Sequence, residues 1–103
     1  MQDAVKNKSV LIARLKDNNK QLKSFGVVSM GIFGSFITGK FNSDSDVDLL
    51  VDFDPKQKSY DNFMDLSFFL EDLLGRKVEL VTPQSLSKYI GSHILKQTEY
   101  VAI

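Results

Sequence analysis

The apolar residues of the chain recur with two different spacings, which predict an alternation of helices and strands. Near the N-terminus the spacing is three to four residues and predicts a helix over about residues 4–16. Asn18 is a suitable N-cap for a second short helix that ends at Gly26. The apolar positions that define the first helix are Val5, Ile12 and Leu15.

Three apolar runs are typical of strands. Residues 27–33 (VVSMGIF) are apolar enough to be buried on both faces of a sheet, and a turn at residues 34–35 leads into a short helical segment. Residues 47–53 (VDLLVDF) predict a second strand. Residues 77–81 (KVELV) predict a third strand, which a Thr-Pro pair closes.

Between the second and third strands, apolar and aromatic residues recur at helical spacing. Asp61 can cap this helix and Gly75 can end it, and residues 84–96 predict one or two further short helices. Helices that alternate with strands predict an α/β (α+β) domain, in which helices flank a small mixed β-sheet of about three to four strands. The helical stripe consists of Phe63, Leu66, Phe69, Leu70, Leu73 and Leu74.

The composition limits the classes of protein to consider. A chain of 103 residues is the size of one ordinary domain, so we expect residues 1–103 to form a single domain. Cysteine is absent, which excludes disulfides, thiolate metal ligands and a cysteine nucleophile. No stretch approaches the ~20 apolar residues of a membrane span, and the N-terminus has no apolar signal region. We therefore expect a cytoplasmic protein.

Charge is balanced overall but unevenly distributed. Lys and Arg number 13, as do Asp and Glu, which is far from the basic excess of proteins that bind nucleic acid mainly through phosphates. No direct binding of nucleic acid is expected. Residues 1–23 are rich in Lys, for which a solvated helix face is the simpler account. Residues 44–72 form an acidic cluster whose internal spacing points to chemistry.

Aspartates alternate with other residues where the second strand begins, at Asp44, Asp46 and Asp48. Side chains two apart on a strand share a face, with Cα atoms ~6.5 Å apart, so Asp46 and Asp48 could hold Mg²⁺ between them. Without a cation, like charges this close repel each other and their pKa values rise. A solvated acidic strand end is the alternative. The apolar residues after Asp48 indicate that the strand enters the core, where neighbouring aspartates are costly.

Other motifs fit the region poorly. An EF-hand loop starting at Asp44 would need Gly and Glu where the chain has Leu49 and Pro55. Residues 34–40 match the P-loop spacing, but Phe41 stands where the Mg²⁺-binding hydroxyl belongs. The G-x-G-x-x-G pattern of dinucleotide-binding folds is absent. With 1 His and no Cys, a zinc site lacks ligands.

Gly34 and Ser35 are followed, after ten residues, by Asp46 and Asp48 at the head of a strand. This joint pattern resembles the DNA polymerase β-like nucleotidyltransferase superfamily. The chain is most similar to the minimal nucleotidyltransferase (MNT) group, and the resemblance covers residues 25–100. The blocks that resemble this group, in the same order, are residues 31–35 (GIFGS), 45–53 (SDVDLLVDF) and 75–83 (GRKVELVTP).

This resemblance implies a polymerase β-like fold and roles for five residues. Gly34 and Ser35 would bind the triphosphate of ATP, through the amides of a turn and the Ser35 hydroxyl. Asp46 and Asp48 would hold two Mg²⁺ ions, and Glu79 would be the third carboxylate of the metal site. Glu79 would also accept the proton of the incoming hydroxyl while pyrophosphate leaves the α-phosphate. A solvated strand residue is the alternative role for Glu79.

The chain departs from the MNT pattern at two positions. Where the group usually has Gly-Ser-x-Ala-Arg-Gly, Thr38 stands in place of the arginine, so a phosphate or partner contact is missing. The third carboxylate is commonly Asp in this group, and Glu79 is one methylene longer. Asp44 and Asp52 flank the motif, and we interpret both as solvated or as lying just outside the metal site.

The resemblance also implies a partner. In the MNT group the partner is typically a separately encoded, all-helical HEPN protein, which makes the chain the antitoxin of a toxin–antitoxin pair. The nucleotidyltransferase then adenylylates a tyrosine of the toxin. Two alternatives remain: nucleotidyl transfer to a small-molecule hydroxyl, and a degenerate binding module that inhibits its partner by contact alone.

Overall fold

The computed structural model describes residues 3–103, without the side chains of residues 89 and 90. Within these residues, helices and strands alternate as expected. Their order is α1 (Lys8–Asp17), α2 (Asn19–Ser24), β1 (Val27–Phe33), α3 (Ser35–Thr38), β2 (Val47–Phe53), α4 (Tyr60–Leu74), β3 (Val78–Val81), a 3₁₀ turn (Pro83–Ser85), α5 (Lys88–Gln97) and β4 (Glu99–Val101).

The strands form one mixed sheet in the order β3-β2-β1-β4. β1 pairs antiparallel with both β2 and β4, whereas β2 pairs parallel with β3. A parallel pair needs a long crossover, and α4 provides it between β2 and β3. The expected mixed sheet flanked by helices is confirmed.

Strand β2 separates the two faces of the sheet because its side chains alternate. Val47, Leu49 and Val51 are fully buried and pack with leucines of α1, α2 and α4 in the hydrophobic core. On the opposite face, Asp48 and Asp52 are half-buried, and Leu50 between them is buried. The face away from the helical core therefore carries the acidic residues.

Two helix starts differ from the sequence prediction because a side chain caps the helix at another residue. Asn7 accepts a hydrogen bond from Val10 N–H at 2.9 Å, so α1 begins at Lys8 rather than near residue 4. Ser59 Oγ accepts one from Asn62 N–H at 3.1 Å and caps α4 in place of the predicted Asp61.

The end of α4 is confirmed and one strand was missed. Gly75 has φ +66° and ends α4 in the left-handed conformation that glycine adopts without strain. Strand β4 is only three residues long and did not stand out in the sequence. No helix of the described part of the chain is long and apolar enough to cross a membrane.

Candidate functional site

The sheet register places two carboxylates side by side. Asp48 on β2 lies opposite Glu79 on the parallel neighbour β3, and opposite Phe33 on β1. Both carboxylates therefore lie on the face away from the helical core. The two carboxylates are close enough for Glu79 to act directly on Asp48.

The surroundings of Asp48 disfavour its negative charge. Burial and then the charge of Glu79, the hydrogen bond with Glu79 and the charge of Asp46 raise the pKa of Asp48 from 3.8 to about 6. Each charged neighbour that acts on this group is another carboxylate. Within residues 3–103, no positively charged group offsets these effects on Asp48, and a cation would supply that charge.

Asp46 is the outermost of the three predicted carboxylates. It is exposed, precedes the first residue of β2, and is close enough to raise the pKa of Asp48. Within residues 3–103, no three acidic or histidine side chains lie close enough together to form a complete set of metal ligands. The structure thus joins Asp48 to Glu79, with Asp46 nearby.

The donor set fits a hard divalent cation. Mg²⁺ prefers carboxylate oxygens and commonly uses one or two carboxylates together with substrate phosphates and water. Asp46, Asp48 and Glu79 offer such oxygens, and a cation would offset the repulsion between these carboxylates. These are the residues that could hold Mg²⁺.

Gly34 lies directly against Asp48. Its backbone has φ +75° and ψ −148°, which is accessible mainly to glycine. A Cβ atom at this position would collide with Asp48 Oδ2 and lie 2.8 Å from Asp48 Cγ. Only glycine therefore fits at this position, and the group that approaches its Cα is the Asp48 carboxylate.

The glycine-serine turn is closed by its own backbone. The Gly34 carbonyl accepts hydrogen bonds from the N–H groups of Ile37 and Thr38, at 3.0 and 3.1 Å. The Ser35 carbonyl accepts from Gly39 N–H at 2.9 Å. Ser35 is half-buried and begins α3. Thr38 is exposed on the outer side of the turn.

Arg76 supports the loop before Asp46, and the sequence analysis assigned it no role. Its Nη1 donates to the carbonyls of Asn42, Ser43 and Ser45 at 3.0, 3.2 and 3.0 Å. Its guanidinium also lies over the Phe36 ring, 5.2 Å from the centroid. The sequence did offer one indication of a role, because Arg76 follows Gly75 in residues 75–83, which resemble the MNT group.

Gln97 is a second residue that the sequence analysis missed. It is the last residue of α5, and its Oε1 accepts a hydrogen bond from Gly34 N–H at 2.8 Å. No local sequence pattern could have predicted this contact, because the two residues are 63 positions apart.

The flanking acidic residues lie outside the site. Asp44 is exposed in a turn, where its N–H donates to Asn42 Oδ1 at 2.8 Å. Asp52 is opposite Ser29 near the other end of β2.

A mostly apolar pocket lies at the far ends of β2 and β3, away from the carboxylates. Phe53, Phe63 and Thr82 line it, and none of its lining residues is acidic. This pocket does not offer the ligands that a hard cation needs.

Comparison with known proteins agrees with the geometry. Residues 12–101 match the nucleotidyltransferase domain family. The protein adenylyltransferase MntA of Thermococcus cleftensis is 41% identical over 93 residues, which cover 90% of this chain and 90% of that protein.

Solved structures share the fold. A minimal nucleotidyltransferase superimposes with a TM-score of 0.80 at 28% identity, over 98% of this chain and 100% of that chain. A toxin–antitoxin structure with AMP-PNP gives a TM-score of 0.64 at 23% identity, over 87% of this chain and 68% of that one. The second likeness concerns the fold alone.

Proposed function

We propose that this chain, which belongs to the nucleotidyltransferase domain family, is a Mg²⁺-dependent enzyme that transfers AMP from ATP to a hydroxyl group of a protein partner. The observation that carries the proposal is the pairing of Asp48 with Glu79 beneath the Gly34 turn. It supports the proposal because carboxylates that could hold Mg²⁺ lie next to a turn that could receive phosphate.

The carboxylates have separate tasks in this proposal. Asp46, Asp48 and Glu79 would hold two Mg²⁺ ions, which when bound neutralise charge on the attacking and leaving oxygens. Glu79 is exposed, so an incoming hydroxyl can reach it and transfer its proton to it. The hydroxyl oxygen forms a bond to the α-phosphorus as the bond to the pyrophosphate oxygen breaks.

The turn at Gly34 and Ser35 would receive the triphosphate. Ser35 contributes a hydroxyl and a backbone amide, both of which donate well to phosphate oxygens. The contact between Gly34 and Asp48 fixes this turn relative to the carboxylates. Phosphate and metal would therefore meet in one place, as phosphoryl chemistry requires.

The acceptor is proposed to be a HEPN-type toxin, which would make this chain an antitoxin. Support comes from the relative named protein adenylyltransferase, which aligns with nearly the whole of this chain. A further support is the shared fold with a toxin–antitoxin structure.

Inhibition by contact alone is the second candidate, and Thr38 is the residue that favours it. Thr38 is exposed where the MNT pattern has arginine. Threonine cannot form the bidentate, charged contact that arginine makes with phosphate.

Intact-mass spectrometry separates the candidates. A HEPN protein, to be sought among the genes next to that of this chain and incubated with it, ATP and Mg²⁺, should gain about 329 Da for each AMP transferred. The Asp46→Asn, Asp48→Asn double variant should bind this partner but leave its mass unchanged and fail to neutralise it, because the metal charge is lost.

Asp44→Asn is the matched control, since Asp44 is an acidic neighbour outside the site, and it should transfer AMP like the wild type. Full neutralisation by the double variant, with no mass gain in the wild-type reaction, would establish contact inhibition and exclude the enzymatic proposal. A nucleotidylated small molecule beside an unmodified partner would redirect the proposal to a different acceptor.

A further inference from the structure

The end of α5 reaches the glycine turn through one side chain. Gln97 Oε1 accepts the Gly34 N–H at 2.8 Å in a partly buried hydrogen bond. The β1–β2 ladder ends at the pair of Phe33 and Asp48, so Gly34 carries the first N–H beyond it. Gln97 therefore satisfies an amide that the sheet leaves without a strand partner.

Gly34 is held on three sides. Gln97 holds its N–H, the N–H groups of Ile37 and Thr38 hold its carbonyl, and Asp48 lies against its Cα. Glycine can adopt φ +75° and ψ −148° without strain but is free to adopt many other conformations, so the surrounding contacts have to select this one. The Gln97 bond is one of the contacts that define it here.

Gln97 itself projects from an anchored segment. The next residue, Thr98, donates from both N–H and Oγ1 to the Ile94 carbonyl, at 3.0 and 2.7 Å. A Cβ on Gly31 would collide with Thr98 Cγ2, so the chain passes close over β1 before it enters β4. Gln97 thus connects the end of α5 to the site from a fixed position.

We propose that Gln97 is a positioning residue for the triphosphate turn, an inference that rests on the nucleotide binding proposed above. A backbone amide has a single N–H group to donate, and the Gly34 N–H already donates to Gln97. The direct contacts to phosphate then fall to Ser35, while Gly34 serves to bring the turn over Asp48.

A residue that competes with phosphate would affect nucleotide binding in the opposite way from a positioning residue. If Gln97 instead occupied the place of a phosphate oxygen, nucleotide would have to displace it, and its removal would tighten nucleotide binding. As a positioning residue it stays bonded in both states, and its removal weakens binding.

The test combines amide exchange with binding of Mg²⁺·AMP-PNP. Gln97→Met keeps the side-chain length but removes the acceptor. The Gly34 amide of the free protein, followed by NMR, should exchange about tenfold faster, as the net loss of one hydrogen bond implies. The dissociation constant of Mg²⁺·AMP-PNP, measured by calorimetry, should rise about tenfold.

Two further variants sharpen the result. Gln97→Glu retains an acceptor oxygen and should keep the slow exchange of the Gly34 amide. Gln84→Met is the matched control, because Gln84 Oε1 also accepts a side-chain bond, from Lys58 Nζ at 3.3 Å, at an exposed position outside the site. It should change neither readout.

Tighter nucleotide binding by Gln97→Met would overturn the inference, as would unchanged exchange of the Gly34 amide. Faster exchange with unchanged affinity would make Gln97 a purely structural residue and overturn it as well. If the wild type does not bind Mg²⁺·AMP-PNP, the proposed function fails and the phosphate role of Gln97 falls with it. The exchange comparison then still decides whether Gln97 holds Gly34.

Discussion

Asp48 contacts both halves of the candidate site: Glu79 on β3 and Gly34 in the turn after β1. Burial and three carboxylate effects act on it in the same direction, and each raises its pKa. A group this perturbed beside other titratable groups is typical of functional sites. The effect of Asp48 on the free energy of unfolding can therefore be measured in the absence of metal.

In the metal-free protein, Asp48 should make stability depend on pH. Its pKa is about 6 in the folded chain against an ordinary 3.8, so the folded state binds more protons between these values. Its stabilising contribution is complete below pH 3.8 and is lost as the pH rises through about 6. Because Asp48 is half-buried, screening by solvent reduces the effect to about 1 kcal/mol.

Denaturant unfolding in EDTA checks this. Asp48→Asn should gain stability relative to the wild type by about 1 kcal/mol between acidic and neutral pH. Asp52→Asn, on the same face of β2 but opposite Ser29, is the matched control. If Asp48→Asn instead lost the same stability at both pH values, the carboxylate would stabilise the fold and the prediction would be wrong.

Gly39 is a suitable comparison for Gly34, because it lacks both the contact with Asp48 and the extended ψ angle of Gly34. Gly34 and Gly39 both have positive φ, +75° and +80°, so alanine strains the backbone at each. A Cβ would meet nothing within 4 Å at Gly39 but would collide with Asp48 at Gly34. Gly39→Ala should cost about 1 kcal/mol of unfolding free energy, and Gly34→Ala about 1–3 kcal/mol more.

Thermal unfolding and AMP transfer measure the difference. Only Gly34→Ala should abolish transfer, because it displaces a carboxylate that we propose holds Mg²⁺. Equal activity of the two variants would show that Asp48 can move without loss of function.

Among the larger elements, the loop between α3 and β2 depends most visibly on a distant residue. Residues 42–46 have no helix or strand of their own, yet they lead directly to Asp46. Arg76, just after α4, holds three of their carbonyl groups and also donates to the Val5 carbonyl at 2.8 Å. The position of Asp46 is therefore set from the end of α4.

Arg76→Lys should uncouple this loop from α4. Lysine keeps the charge but lacks the planar fork that serves several carbonyls at once. We expect a loss of about 2 kcal/mol in stability, faster amide exchange over residues 42–46, and at least a tenfold loss of AMP transfer. Lys77→Met, at the exposed neighbouring position, is the control. Wild-type exchange in the loop of Arg76→Lys would contradict the assignment.

In the molecule as a whole, the site lies on the side of the sheet that the helical core does not cover. The core on the other side is continuous, from Leu11 and Leu15 of α1 to Leu66 and Leu70 of α4. The acidic face can therefore carry unfavourable charge without disrupting the packing that stabilises the fold.

A bound cation should consequently stabilise the whole chain. At a Mg²⁺ concentration ten times its dissociation constant, binding to the folded state adds about 1.4 kcal/mol. For a domain of this size, that raises the melting temperature by roughly 6–10 °C. The Asp46→Asn, Asp48→Asn double variant should show no such rise, and Asp44→Asn should retain it. An equal rise in the double variant would place the cation elsewhere.

Local patterns alone determined much of this protein. β1 and β2 occupy the predicted residues, and Gly75 ends α4 as expected, because alternation and glycine stops act within a few residues. The expected fold class is confirmed for the same reason. The motif of Gly34 and Ser35 followed by two aspartates was also recognisable, because all four residues lie within residues 34–48.

Tertiary structure alone decided which of these groups meet. Asp48 lies beside Glu79 because β2 and β3 pair in one parallel register, and a shift of one residue would turn Glu79 to the other face. Gln97 reaches Gly34, and Arg76 reaches the loop before Asp46, across long stretches of sequence. Such contacts depend on the packing of whole elements, which no local periodicity encodes.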